Sequence, residues 1–86
     1  MRDELLFRRS LLMQLEAAYP ASLPLSTLSA GAKLAGFEFR ESDIASALEY
    51  LRGKSLVEIS RSKISAAHIR AKLSAEGRDY LESGDF

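Results

Sequence analysis

Between residues 3 and 19 apolar side chains recur at Leu5, Leu12, Leu15 and Tyr19, with Leu11 and Ala18 beside them. That spacing predicts an amphipathic helix with one broad inward face. Pro20 ends it, because proline lacks the N–H and clashes with the preceding turn. Leu6 and Met13, seven residues apart, fall on another side. They suit packing under the C-terminal segment, or the seam of a homodimer, through which a small chain buries more surface.

The connector PASLPLS holds two prolines within five residues. It is closed to helix, and the residue before each proline is pushed into extended backbone. Leu23 and Leu25 are placed to flank a short edge strand. Ser26 is an expected N-cap for a second helix over about 27–35, burying Leu28, Ala32 and Ala35. Gly36 suits the left-handed position that ends it. FEFRES leads to a third helix, with Ser42 as expected cap and Asp43 near the positive helix end. Ile44, Ala47, Leu48 and Leu51 follow the i, i+3, i+4, i+7 rule. Gly53 is expected to end the helix as Gly36 does.

The period then changes from 3.6 to 2. Val57 and Ile59 alternate with Glu58 and Ser60, and Ile69, Ala71 and Leu73 alternate with Arg70 and Lys72. Two antiparallel strands follow, at about 56–61 and 68–73. The SKISAA segment between them is long for a tight turn and lacks glycine, so a mobile loop is expected. Ser74 is placed to cap a last helix, about 75–83, carrying Tyr80 and Leu81. Gly77 falls in its first turn, where glycine costs about 1 kcal/mol relative to alanine. The missing Cβ must therefore serve a close approach, to the first helix or to the hairpin.

Three helices, a two-stranded antiparallel hairpin and a closing helix make an α+β unit, read as one domain over residues 1–86. Three stretches carry a family resemblance. LSTLSAGAKLAGF is similar to the second helix and turn of a helix-turn-helix. SDIASALEYLRGKSLVEIS is similar to a third helix running into a first wing strand. IRAKLSAEGRDYLES is similar to a second wing strand followed by a Leu-(Ser/Thr)-x-x-Gly-(Arg/Lys) ending. Over about residues 5–83 the chain resembles the winged-helix superfamily, in particular small bacterial regulators of the MarR/PadR type. The resemblance implies a three-helix bundle with a helix-turn-helix, a two-stranded wing and a C-terminal helix. It also implies that the third helix enters the DNA major groove.

Composition narrows the chemistry. The 86 residues contain no cysteine, so thiolate metal sites and disulfides are excluded. With His68 the lone histidine, a zinc site would need carboxylates for its other ligands, and no metal is expected. No glycine-rich phosphate loop and no Ser–His–Asp arrangement is legible, so neither catalytic residues nor a cofactor are expected. No apolar run approaches the roughly 18 residues of a membrane span. The N-terminus mixes acids and bases through its apolar residues, unlike a signal peptide. The expectation is a cytoplasmic protein that is not an enzyme and has no membrane partner.

Net charge is zero, but its distribution is uneven. Arg52, Lys54, Arg61, Lys63, Arg70 and Lys72 face Glu58 alone within residues 52–72, a surplus of five. The rest of the chain carries the matching deficit. A positive wing suits phosphate contacts, which position a protein on DNA and supply salt-sensitive affinity. It equally suits a solvated hairpin whose lysines discourage edge-to-edge strand association. Arg61 and Lys63 lie nearest the loop, Arg70 and Lys72 share a strand face, and His68 sits at the wing edge. On the third helix the expected outward residues are Asp43, Ser46, Glu49, Tyr50 and Arg52, with Arg40 and Glu41 just before it. Arg40, Ser46 and Arg52 are candidate DNA contacts, and Glu49 a candidate acceptor from cytosine. Glu41, Asp43 and Glu49 would meet a polyanion, however. Two functions follow: a DNA-binding transcriptional regulator or accessory factor acting as a homodimer on double-stranded DNA, or a winged-helix module that binds a protein partner and no nucleic acid.

Overall fold

The computed structural model of the chain describes residues 2–61 and 68–83. Helix α1 (Arg2–Ala18) stops before Pro20. Its inward stripe is Phe7, Leu11, Leu12 and Leu15, each at most 2% exposed. Leu5, expected inward, is 48% exposed. It lies at the rim of an open cleft with Arg8 and Tyr50. Phe7 takes the inward place instead, because aromatic rings from the connector before α3 reach it. Its ring stacks on Phe39 at 3.9 Å between centroids and meets Phe37 at 5.6 Å. Leu6 and Met13 are each 50% exposed, so packing beneath the C-terminal helix does not bury them.

Strand β1 (Leu23–Pro24) is the expected edge strand, and it hydrogen-bonds to the second wing strand. Helix α2 (Leu25–Leu34) begins at once after it, with Pro24 at the N-cap and no side-chain cap. Ser26 therefore lies inside the first turn and does not cap. Strand pairing holds the backbone extended through Pro24, and that sets the start. Leu28 and Ala32 are buried, while Ala35 is the exposed C-cap. Gly36 takes φ +93°. Its N–H donates to the Lys33 carbonyl, and the Phe37 N–H donates to Ala32, each at 3.0 Å. This pair of bonds satisfies the last helical carbonyls.

Helix α3 (Glu41–Gly53) buries Ile44, Ala47, Leu48 and Leu51 as the spacing requires. Arg40, not Ser42, holds the N-cap position. The Asp43 carboxylate reaches back to accept the Arg40 backbone N–H at 3.0 Å, which leaves Ser42 no capping role. The helix also ends later than Gly53 suggests. Gly53 stays helical, and Ser55 takes the left-handed position at φ 64°. The Ser55 and Leu56 amides close the same paired bonds, to Arg52 at 2.9 Å and Leu51 at 3.0 Å. The extra residues direct Leu56 toward the core, against which it packs.

Strands β2 (Val57–Arg61) and β3 (Ile69–Leu73) pair antiparallel, with Val57 opposite Leu73 and Ile59 opposite Ala71. With β1 they form a three-stranded sheet in the order β1-β3-β2. The wing hairpin itself is two-stranded, as expected. The segment 62–67, including the expected mobile loop and Lys63, lies outside the described residues.

Helix α4 (Ala75–Ser83) is capped by Ser74 as expected. The Ser74 hydroxyl accepts the Gly77 N–H at 2.9 Å and donates to the Ser55 carbonyl at 2.6 Å. The close approach at Gly77 is to the backbone of Leu56, the residue that leads into β2. A Cβ at Gly77 would collide with the Leu56 carbonyl oxygen and lie 2.8 Å from Leu73 Cδ1. The core is shared by α1, α2, α3 and the inward face of the sheet. The fold is a winged helix: a three-helix bundle, an antiparallel wing and a closing helix.

Candidate nucleic-acid interface

Two adjoining clefts lie along the wing. One, of about 400 Å³, is bounded by Ser46 and Glu49 of α3 and by Ile59, Arg61 and Ile69 of the wing. The other, of about 660 Å³, runs from Pro24 and Ser26 at the start of α2 to Ser60, His68 and Arg70. Arg61 and Ile69 line both. The alternation of β2 and β3 places them there. Arg61 and Ile69 are register partners on the face of Ile59 and Ala71, which turns them toward α3, while Arg70 and Lys72 lie on the other face. Four sequence candidates are thus brought together: Ser46, Arg61, His68 and Arg70. His68 is exposed.

The remaining candidates are dispersed. Lys54 lines a separate, smaller cleft with Leu5, Arg8 and Tyr80. Its ammonium lies 5.6 Å from the Tyr50 ring centre, over which the Arg8 guanidinium stacks at 3.9 Å. Arg40 lines a shallow depression with Lys33 and Glu38 at the end of α2. Lys72 pairs with Glu58 at 3.7 Å across the strands. Arg52 is exposed at the end of α3 but is held by Glu49. Lys63 is not among the described residues.

Electrostatically the wing differs from its formal surplus. Glu49 accepts from Arg52 Nε at 2.9 Å and from Arg61 Nη2 at 2.8 Å. Each carboxylate oxygen thus carries one arginine donor. Arg70 is anchored differently. Its Nε donates to Ser22 Oγ at 2.8 Å and its Nη2 to the Ser22 carbonyl at 3.0 Å. That fixes its guanidinium beside β1 with donors to spare, since an arginine carries five.

Neither Glu49 as the hub nor Ser22 as the Arg70 anchor follows from the sequence pattern. The Glu49–Arg52 pair has a legible signal, the i, i+3 spacing on a helix. The reach from α3 to Arg61 has a weaker one, the period-2 alternation that puts Arg61 on the face of Val57 and Ile59, and the link from Ser22 to Arg70 has none. Guanidinium, imidazole and hydroxyl groups around open clefts can bind phosphate oxygens. Among the described residues no group of three His, Asp or Glu side chains converges to hold a metal ion. Nor is any described helix long and apolar enough to cross a membrane.

No protein-family model matches the chain, and no curated protein matches it significantly. In three dimensions the chain is similar to a solved structure of Bordetella bronchiseptica BpsR, a protein whose DNA binding is regulated by 6-hydroxynicotinic acid. The TM-score is 0.73 at 14% sequence identity, covering 90% of this chain and 53% of that one. The chain thus spans about half the length of that structure. At this identity the likeness shows the fold alone.

Proposed function

We propose that the protein is a small winged-helix DNA-binding protein of the MarR/PadR type, a transcriptional regulator or DNA-associated accessory factor in the cytoplasm. In this reading residues 1–86 act as one domain and contact phosphates through the wing. The observation that carries it is the gathering of Ser46, Arg61, His68 and Arg70 around adjoining clefts between α3, the start of α2 and the wing. The shared fold with a protein that binds DNA supports it. Lys63 joins Arg61 as a leading contact in this reading, and Arg52, Lys54, Lys72 and Arg40 are secondary.

Fluorescence anisotropy on random duplex DNA tests it. Low-micromolar or tighter binding at about 50 mM salt is expected, collapsing toward about 200 mM through counterion release. Arg61→Ala is expected to weaken binding on all sequences and to reduce the salt slope by about 1. Unchanged binding by that variant removes Arg61 from the mechanism. No binding by the wild type at tens of micromolar protein, even at low salt, overturns the reading.

We also propose that two copies meet through α1 at Leu6 and Met13, each half exposed. Analytical ultracentrifugation is expected to give a dimer mass for the wild type and a monomer mass for a Leu6→Glu, Met13→Glu double variant. An unchanged mass between the two removes this seam.

A second reading, a protein-interaction module with no nucleic-acid role, is favoured by the acids of the same surface. Glu41 lines the larger cleft and Glu49 the smaller. It predicts a stable complex with a protein partner and no salt-dependent retention on DNA.

A further inference from the structure

Glu49 occupies an unusual position for a residue on a DNA-facing surface. It lies in the cleft between α3 and the wing, beside Ser46 and Arg61. Its two oxygens each take one donor from a different arginine, Arg52 on its own helix and Arg61 on β2. The Glu49, Arg52 and Arg61 side chains are 40%, 56% and 54% exposed. Ion pairs this open to water are weak and exchange readily. They therefore contribute little to holding the fold together. Their electrostatic effect at the surface is larger: one carboxylate lies against two guanidinium groups, and the cluster presents one net positive charge instead of two.

We infer that Glu49 is an autoinhibitory counter-ion, which masks Arg52 and Arg61 and limits phosphate affinity until a duplex displaces it. The inference rests on the DNA-contact reading above. A phosphate approaching Arg61 meets a like charge already seated on that guanidinium. It must expel the carboxylate or share the remaining donors with it. Replacing the carboxylate by an amide of the same shape removes the repulsion and leaves the side-chain volume unchanged. One more phosphate is then neutralised per bound protein. The log–log salt slope steepens by about 0.9, a further loss of roughly 3.5-fold between about 50 and 200 mM salt.

The experiment measures duplex binding by anisotropy at both salt concentrations for the wild type, Glu49→Gln and Glu16→Gln. Glu16, exposed on α1, controls for the change in overall charge. Glu49→Gln is expected to bind roughly tenfold more tightly than the wild type at about 50 mM and about threefold at about 200 mM. Glu16→Gln is expected to stay within about twofold of the wild type, since distant exposed charges are largely screened. In an Arg52→Ala, Arg61→Ala background the gain from Glu49→Gln should fall to that of the control. Binding by Glu49→Gln no tighter than wild type, alongside salt-sensitive wild-type binding, overturns the inference and leaves the DNA reading standing. A gain that persists without the two arginines also overturns it, since the effect is then a general field. No DNA binding by either wild type or Glu49→Gln overturns both together. Binding by Glu49→Gln alone, with none by the wild type, overturns the DNA reading of the native protein and the inference with it.

Discussion

Phe7→Ala is expected to destabilise the protein by about 3–5 kcal/mol, the cost of truncating a buried aromatic ring. A chain of this size has a total stability near the low end of about 5–15 kcal/mol. The variant should therefore be substantially unfolded at physiological temperature, with lost helical circular dichroism and a much lower denaturation midpoint. The argument is local. Phe7 is 2% exposed and stacked on Phe39, with Phe37 tilted against it. Truncation opens a void between α1 and the connector that leads into α3. Phe7→Leu should recover much of the loss, because it restores volume without the stack. A loss below about 1 kcal/mol for Phe7→Ala would show that Phe37 and Phe39 close over the void, and would remove the ring from its central place in the core.

Gly77→Ala is expected to cost about 2–4 kcal/mol, by overpacking against an immobile neighbour. For a domain this small, that lowers the melting temperature by about 10–20 °C. Helix propensity alone predicts the opposite sign, a gain of about 1 kcal/mol. The neighbour decides between them. The added Cβ would collide with the Leu56 carbonyl oxygen, which itself accepts the Ser74 N–H at 3.1 Å. Neither atom can move without breaking the bond that seats α4 on the wing. An unchanged or raised melting temperature would refute the close approach.

These two residues also show what a one-dimensional pattern can carry. Gly77 was legible as a residue needing an explanation, because a glycine in a first helical turn is locally unfavourable. Its neighbour was legible as one of two, the first helix or the hairpin, and Leu56, at the start of the expected strand, is the hairpin residue it meets. Phe7 was missed because its partners, Phe37 and Phe39, sit on a connector with no period. The α3 face and the alternation of β2 and β3 are legible, because burial there repeats with the backbone's own geometry. Helix starts were read less well. Serine at 26 and 42 looks like a cap, but strand pairing through Pro24 and the reach of Asp43 set the starts instead. At the candidate site the identities of the cations were legible and their commitments were not. Glu49 and Arg61 are separated by twelve residues and by the passage from helix to strand.

Strand β1 has a consequence for how copies of the chain can meet. It is two residues long, ends in proline, and lies at the outer edge of the sheet, beside the β3 that Arg70 ties to Ser22. Proline has no N–H to offer an incoming strand, and two residues give too short a template for one to align on. That side of the sheet is closed to strand-by-strand growth, the route by which small β-containing proteins exchange strands or seed fibrils.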